Sequence, residues 1–270
     1  LIGALLVATG PTVVTPIVNV IYLREHVSAA LETEGIVNDV TAAIVAVVIF
    51  ETLLLDDLGV PATVLSFLRR FGVGIAAGLL ATVAIYLLLD SDLVPERDVQ
   101  ASQFLVLSAA IGSFAAAEAV AAEAGIAAAA TSGILLGNLG LDNREEIENF
   151  AQNTTTIVLS FVFIALAALI NVEAIAGLGL GVVAIVAVIM LVLRPLGAFI
   201  ATLGVERFTR PERLFIAGVG PRGIIPASVA TLFAIELELA GSVAAGELLV
   251  GTVFAVIFAT VLVEAGLARQ

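Results

Sequence analysis

Asp39 is a carboxylate placed where a polar stretch of the chain becomes an apolar run. It follows Asn38 directly and Glu34 by five residues in "ETEGIVNDVTAAIVAVVIFE", residues 32–51. An ionisable residue inside an apolar span is costly and is by default a candidate for function. A carboxylate among neutral oxygens suits a hard cation such as sodium, and it can also hold a proton, so that the two would compete for one site. The alternative is that Asp39 only starts a helix at the membrane interface.

Two further stretches share the pattern Gly-Pro, four residues, Pro, and both interrupt apolar runs. They are "GPTVVTP" at 10–16 and "GPRGIIP" at 220–226. A proline inside a helix leaves the carbonyl four residues earlier without its donor, and broken backbone is tolerated in a membrane only when it is buried in protein or lines a wet cavity. The carbonyls expected to be freed by Pro11, Pro16, Pro221 and Pro226 are those of Val7, Thr12, Ala217 and Arg222. Matching interrupted spans predict the midplane site of a secondary transporter, and plain kinks for helix packing are the alternative.

The elements that must position these residues are membrane-spanning helices. The chain is 61% hydrophobic with a mean hydropathy of +1.17, and apolar stretches of spanning length recur along it. We therefore expect an all-α polytopic membrane protein with about nine transmembrane helices. The expected spans are 1–20, 36–55, 65–89, 103–122, 124–140, 154–171, 177–203, 213–236 and 247–266.

The charged residues predict an orientation and a habitat. The net charge is −13, and all eleven basic residues are arginines. The absence of lysine indicates either a salt-loving (halophile) source or a compositional bias towards arginine. With spans counted alternately, one side of the membrane collects most of the arginines, which predicts that this side and the C-terminus are cytoplasmic, in a plasma membrane. Those arginines are Arg24, Arg97, Arg144, Arg207, Arg210, Arg213 and Arg269, whereas Arg69 and Arg70 break the pattern and are expected to snorkel.

Several motifs together resemble the NhaP-type sodium/proton antiporters of the monovalent cation–proton antiporter superfamily. They are "ATGPTVV" at 8–14, Glu34 with Asn38-Asp39, "SGILLGN" at 132–138, "RPL" at 194–196 and "GPRGIIPA" at 220–227. The resemblance covers residues 1 to about 266 and implies an inverted-repeat fold of about 13 spans with two broken crossing helices, of which this chain would lack the first four. Residues 1–270 would then form one transmembrane antiporter domain, with the first crossing helix at 1–20, the carboxylate helix at 33–55 and the second crossing helix at 211–236.

The same resemblance implies roles for single residues. Asp39 would bind the transported metal ion, sodium, or a proton, and Thr9 and Thr12 would offer oxygens. Asn38 would steady the crossing, and Glu34 would form a structural ion pair with Arg222. The broken-helix residues would be Gly10, Pro11, Pro16, Gly220, Pro221, Gly223 and Pro226.

The resemblance also implies the activity and partners. It implies electroneutral, one-for-one exchange of a cation for a proton in a homodimer within the lipid bilayer, with no enzymatic activity, no cofactor and no nucleic acid. Two positions depart from the family pattern. Many relatives have Thr-Asp-Pro where this chain has Gly10 as the middle residue, and many have Ser in place of Gly35. Each departure removes a possible ligand, so the choice among sodium, potassium and lithium stays open.

Each of the remaining candidate polar residues has two possible roles. Glu51 either lines an entrance or is an interfacial acid, and Glu118 and Glu123 form either a cation funnel or a solvated rim. Arg194 lies either in the core or at the cytoplasmic face, and His26 is either a pH sensor or a plain loop residue.

Two other functions are alternatives to antiport. A cation channel or gated pore would also use a midplane carboxylate, but its repeated filter motif is not found in the sequence. An intramembrane hydrolase would need a serine–histidine or metal constellation, and the single histidine of the chain lies in an expected loop.

Overall fold

The computed structural model describes residues 1–10, 23–55, 59–89, 99–141, 143–168, 179–220 and 222–267. Within these ranges every regular element is a helix. The helices are α1 Ile2–Leu5, α2 Glu25–Leu55, α3 Val60–Leu89, α4 Val99–Val120, α5 Ala124–Asn138, α6 Arg144–Ala168, α7 Gly179–Val188, α8 Arg194–Ala201, α9 Arg210–Gly218, α10 Ile224–Leu239 and α11 Val243–Leu267, with a π-helical turn Ile189–Leu193 joining α7 to α8.

Five stretches of the described chain are long and apolar enough to cross a membrane. They are Glu25–Leu53, Val60–Leu89, Val99–Val120, Gly179–Ala201 and Val243–Val263, and the shorter apolar helix Ala124–Asn138 adds to them. The prediction of an all-α polytopic membrane protein is confirmed, because an apolar helix satisfies its own backbone in lipid. The chain is therefore an integral membrane protein.

The expected second crossing helix is divided into two helices, and the backbone of Val219 and of Gly223 between them is extended. Helix α9 ends at Gly218, and α10 begins at Ile224 after Gly223, whose ψ of −163° is extended. This position corrects the expectation for Pro226. It lies in the first turn of α10, where no intrahelical donor is needed, so it favours the helix start rather than freeing the carbonyl of Arg222.

The first expected crossing helix is also interrupted in its described part. Helix α1 ends at Leu5, a turn follows, and residues 8–10 are not helical. The next residues that the sequence singled out, Pro11, Thr12 and Pro16, lie outside the described residues, as does Pro221.

The chain divides into two compact units, and residues 1–43 with 163–270 form the first of them. Here α1 packs against α10 and α11, and α11 packs against α7 and α10. A core cluster joins the start of α2 to α8 and α9. Its buried members are Val27, Leu31, Ala198, Ile216, Ala217 and Val219.

The second unit, residues 44–162, is built on close packing of α3, α4 and α5. Gly74 and Gly78 lie on one face of α3, and a Cβ on either would come within 2.6 Å of a backbone oxygen of α5, from Ala124 and Ala128 respectively. Glycine at both positions therefore sets the close approach of these two helices, as small residues do in membrane proteins.

Arg70 is buried inside this second unit. Only 8% of the residue is exposed, and its Nη2 donates to Oε1 of Glu51 at 2.6 Å. The expectation that Arg70 snorkels to the interface was therefore wrong. Burial of the guanidinium requires a counter-charge, and Glu51 supplies it.

The turn between α4 and α5 is organised by Glu118. Its two carboxylate oxygens accept the backbone N–H groups of Glu123 (2.8 Å) and Gly125 (3.1 Å), so this acid satisfies the start of α5. Glu123 adopts the left-handed conformation with φ of 63°. Burial, and then the negative charge of Glu118, raise the pKa of Glu123 to about 7, and the positive charge of Arg70 opposes the rise.

We expect Glu123→Gln to remove a pH dependence from stability. The native state keeps a proton on Glu123 up to about pH 7, whereas the unfolded chain loses it near the ordinary value of 4.5. The wild-type protein therefore loses stability as pH rises through that window, and the glutamine variant does not. Thermal unfolding in detergent at several pH values measures the difference. Glu148→Gln, on an exposed pair with Arg144, is the control; an equal gap between wild type and variant at all pH values contradicts the assignment.

Candidate functional site

Arg194 contacts the C-terminal end of α9, which is the first half of the second broken helix. Its Nε and Nη2 donate to the carbonyl oxygen of Val219 at 3.0 and 2.6 Å, and Val219 is the residue that caps α9. The last carbonyls of a helix have no intrahelical donor. In an apolar environment each unmade hydrogen bond would cost several kcal/mol, so the guanidinium stabilises the break.

The local sequence allows Arg194 to contact the carbonyl of Val219. Pro195 removes a backbone donor, and the residues before it form the π-helical turn Ile189–Leu193 instead of a regular helix. A Cβ on Gly220 would lie 2.6 Å from Nε of Arg194, so glycine at that position leaves room for the guanidinium. Arg194 is therefore largely buried, with 10% of its side chain exposed.

Glu34 pairs with this same arginine. Nη1 of Arg194 contacts Oε1 of Glu34, and Nη2 donates to Oε2 at 3.0 Å, which is a two-point contact. The expected structural pair of Glu34 with Arg222 was wrong. Arg194 on α8 lies close enough to contact the carboxylate of Glu34 on α2, whereas Arg222 donates to backbone carbonyls at the other break.

Arg222 holds the first break. Its Nη1 donates to the carbonyl oxygens of Val7 (3.1 Å) and Ala8 (3.4 Å), just beyond the end of α1. Its backbone N–H donates to Oγ1 of Thr260 on α11 at 3.4 Å. The carbonyl of Val7 is one that the sequence expected to be freed. An arginine from the second broken helix thus satisfies backbone of the first.

Asn38 joins the carboxylate helix to the first break. Its Nδ2 donates to Oγ1 of Thr9 at 2.8 Å and to Oε1 of Glu34 at 3.4 Å. Asn38 and Glu34 are four residues apart on α2 and share one face of that helix. Thr9 is buried, with 3% exposed. The amide therefore connects the ion pair to the non-helical residues 8–10.

Asp39 is the next residue of α2 and is 6% exposed. Among the described residues, its Oδ1 is buried with no hydrogen-bond partner. A buried carboxylate oxygen without a donor is unfavourable, and either a bound proton or a bound cation relieves the cost. No described group of three or more metal-ligating side chains surrounds it.

A cavity of about 560 Å³ lies beside these residues. Its polar lining consists of Thr9, Glu34, Asn38, Arg194, Thr202 and Arg222. The cavity brings together both broken helices, the carboxylate helix and α8. It gives water and a small ion room next to Asn38, the neighbour of Asp39.

Sequence reasoning missed the two backbone contacts of the arginines. The signal for Arg194 was the adjacent Pro195, because a proline within a span distorts the helix and makes room for a side chain to reach a neighbour. The contact of Arg222 with Val7 had a signal too, since Pro11 was expected to free that carbonyl. Neither pattern states which arginine reaches which carbonyl.

The fold and the site together define a class: a helical membrane protein whose interrupted helices meet beside a buried carboxylate, as in secondary transporters. Residues 1–268 match the family model described as sodium/hydrogen exchanger, transmembrane, and the chain belongs to this family. The resemblance to NhaP-type antiporters that the motifs predicted is confirmed.

Curated relatives support this family, and a solved structure shares the fold. The chain is 28% identical over 266 residues to the K⁺/H⁺ antiporter NhaP2 of Shewanella sp. (strain ANA-3), covering 98% of this chain and 45% of that protein. It is 25% identical to the probable Na⁺/H⁺ antiporter 2 of Methanocaldococcus jannaschii, covering 88% and 58%. The chain thus spans about half the length of these relatives. The structure of the sodium proton antiporter MjNhaP1 from Methanocaldococcus jannaschii matches in fold, with a TM-score of 0.74 and 22% identity, over 98% of this chain and 69% of that one.

We expect Glu34 and Arg194 to be coupled in stability. Removing one partner leaves the other charged and poorly solvated, so Glu34→Ala and Arg194→Ala should each destabilise the protein, and the double change should cost less than the sum by about 1–3 kcal/mol. Thermal unfolding of the four proteins in detergent measures this cycle. The exposed pair of Arg144 and Glu148 serves as the control cycle, with about 0–1 kcal/mol expected. Additive costs at Glu34 and Arg194 would show that the contact has no energetic weight.

Gly220→Ala should displace Arg194. The added Cβ would meet Nε and Cδ of the arginine at 2.6 and 2.9 Å, which is closer than van der Waals contact allows. Gly218→Ala is the matched control, because nothing lies within 4 Å of its Cβ position. We expect a lower unfolding midpoint in detergent for Gly220→Ala alone. Equal effects of the two alanines would refute the steric role of Gly220.

Proposed function

We propose that the protein exchanges a monovalent cation for a proton across the membrane by alternating access, with both ligands competing for Asp39. Sodium is the first choice for the cation, with potassium and lithium as alternatives. The observation that carries the proposal is the buried Oδ1 of Asp39, which has no hydrogen-bond partner among the described residues. Family membership and antiporters among the relatives support the same activity.

The neighbours of Asp39 favour an ion over a purely structural role. The amide nitrogen of Asn38 is used in contacts with Thr9 and Glu34, which leaves its carbonyl oxygen as an acceptor. The hydroxyl of Thr9 also has acceptor capacity. Hard cations of low charge prefer such carboxylate, amide and hydroxyl oxygens. Thr12, also expected to contribute, lies outside the described residues.

The ion pair supports a one-for-one exchange. Glu34 is the acid closest along α2 to the site, and its charge is matched by Arg194. Asn38 is neutral. Asp39 would then bind a proton and a monovalent cation in turn. The proton and the cation each carry one positive charge, in opposite directions across the membrane. The relatives bear the names of K⁺/H⁺ and Na⁺/H⁺ antiporters, and the chain's own ion is therefore a matter for measurement.

The proposal also includes the membrane, the orientation of the chain and its oligomeric state. The excess of arginine on one side supports a cytoplasmic C-terminus in a plasma membrane. The resemblance to NhaP-type antiporters supports a homodimer. The lipid bilayer, a monovalent cation and protons are the partners that this function requires.

Asp39→Asn should abolish cation-coupled proton movement, because an amide neither releases a proton nor carries the negative charge that attracts a cation. Proteoliposomes of the complete protein, given a pH gradient with sodium or potassium on the opposite side, measure the flux. Asp39→Glu should keep partial activity with altered ion affinity, and Glu148→Gln is the control. Sodium-driven proton flux retained in Asp39→Asn, with normal insertion, would contradict the role of Asp39.

Exchange should be indifferent to the membrane potential. With one positive charge moving in each direction, no net charge crosses in a cycle, and the potential exerts no force on it. Fixing the potential with potassium and valinomycin at constant sodium and proton gradients tests this in the same proteoliposomes. A potential-dependent set-point would mean that a second charge participates, and it would exclude the one-for-one scheme.

A further inference from the structure

Thr260 carries a hydroxyl on the buried face of α11. Only 1% of the residue is exposed. The buried residues Leu249, Val253 and Val256 recur along α11 at helical spacing, and Thr260 follows them on the same face. A buried hydroxyl costs free energy unless its hydrogen bonds are made, so its partners indicate what it does.

The hydroxyl of Thr260 is used both as a donor and as an acceptor. Its O–H donates to the carbonyl oxygen of Ile257 at 2.9 Å, which fixes the side chain against its own helix. Oγ1 accepts the backbone N–H of Arg222 at 3.4 Å. This N–H precedes the first residue of α10, Ile224, so α10 itself has no acceptor for it. Thr260 provides one from a neighbouring helix.

Arg222 is therefore bound at its backbone and at its side chain. The backbone is bound to α11 through Thr260, and Nη1 of the guanidinium donates to the carbonyl oxygens of Val7 and Ala8. The residue is 6% exposed, so little water reaches either contact. An arginine side chain has many rotamers, and fixing its backbone reduces the positions that the guanidinium can reach.

The contacts continue from Arg222 to the candidate cation site. The carbonyls that it holds directly precede Thr9, whose hydroxyl accepts a hydrogen bond from Nδ2 of Asn38 at 2.8 Å. Asn38 precedes Asp39 on α2. All of these residues belong to the first compact unit, in which α11 also packs against α1. The hydroxyl of Thr260 is thus connected to Thr9 through one arginine and its two carbonyl acceptors.

We propose that Thr260 is a positioning residue for the cation site. Its hydroxyl fixes the backbone of Arg222, and the guanidinium of Arg222 fixes the non-helical backbone on which Thr9 lies. Thr260 acts through Arg222 rather than by contact with the ion. Loss of the hydroxyl therefore lowers the affinity for the cation and leaves proton release at Asp39 unchanged. The effect on the cation rests on the proposed function, whereas the effect on the backbone of residues 5–10 does not.

The first experiment measures the backbone without transport. Hydrogen–deuterium exchange is followed by mass spectrometry in the complete protein in detergent, for wild type, Thr260→Val, Thr260→Ser and Thr252→Val. Valine keeps the shape of threonine and removes the hydroxyl, whereas serine keeps the hydroxyl. Thr252 is the matched control, because it is also 1% exposed and lies about two turns earlier in α11. We expect peptides covering residues 5–10 to exchange about threefold to tenfold faster in Thr260→Val alone.

Three results of this experiment would contradict the proposal. Equal exchange at residues 5–10 in Thr260→Val and wild type overturns it, and so does an increase of the same size in Thr252→Val. Thr260→Ser should match wild type. Faster exchange in the serine variant would assign the effect to the lost methyl group and would also overturn the proposal, and this comparison decides the matter if Thr260→Val does not fold.

The second experiment measures the cation. Initial rates of cation-coupled proton flux in proteoliposomes are recorded against sodium, and then potassium, concentration for the same four proteins. We expect Thr260→Val to raise the apparent KM about threefold to tenfold, with a maximal rate within about twofold of wild type, and Thr260→Ser to keep the wild-type KM. A lower maximal rate at unchanged KM would indicate a purely structural role and overturns the positioning role. Absence of flux in the wild type would instead count against the proposed function and leave the exchange result to decide the role of Thr260 at the backbone.

Discussion

The structure depends on how backbone carbonyls are satisfied where two helices are broken inside an apolar environment. Each break is stabilised by a guanidinium from elsewhere in the chain. Arg222 donates to the carbonyls of Val7 and Ala8, and Arg194 donates to that of Val219. Without these donors, each carbonyl would cost several kcal/mol in the membrane, and the chain would favour continuous helices. The arginines are therefore what allows non-helical backbone to exist beside Asp39.

The choice of arginine has consequences for the site. A guanidinium has several donors in one plane, so Arg194 holds a carbonyl and both oxygens of Glu34 together. Both oxygens of Glu34 are therefore held by Arg194. Asn38 contacts Glu34 and Thr9, so it links this ion pair to Thr9 by hydrogen bonds. Asp39 is the neighbour of Asn38 in the chain, and its Oδ1 has no hydrogen bond within the described part of this network. Among the described residues nothing donates to Oδ1 of Asp39, and the proposed exchange of ligands rests on that free oxygen.

The sequence predicted the class and the chemistry better than the partners. Hydropathy indicated the helices. Of the two Gly-Pro pairs, the glycines Gly10 and Gly220 lie in described stretches that are not helical, whereas Pro11 and Pro221 lie outside the described residues. Asp39 stood out since a charge in an apolar run has few explanations. The partner of Glu34 was predicted wrongly as Arg222, because the choice between Arg194 and Arg222 depends on how helices pack. The expectation of a snorkelling Arg70 failed for the same reason: its counter-charge Glu51 comes from another helix.

The central claim is that a proton and a cation exclude each other at one buried carboxylate. The most direct test is isothermal titration calorimetry of the complete protein with sodium and with potassium, in two buffers of different ionisation enthalpy, at acidic pH where the site is protonated. The difference in heat gives the number of protons released for each cation bound. Release of about one proton per cation, absent in Asp39→Asn, is the result that competition at a single carboxylate requires. Cation binding to the wild-type protein without proton release would contradict the account.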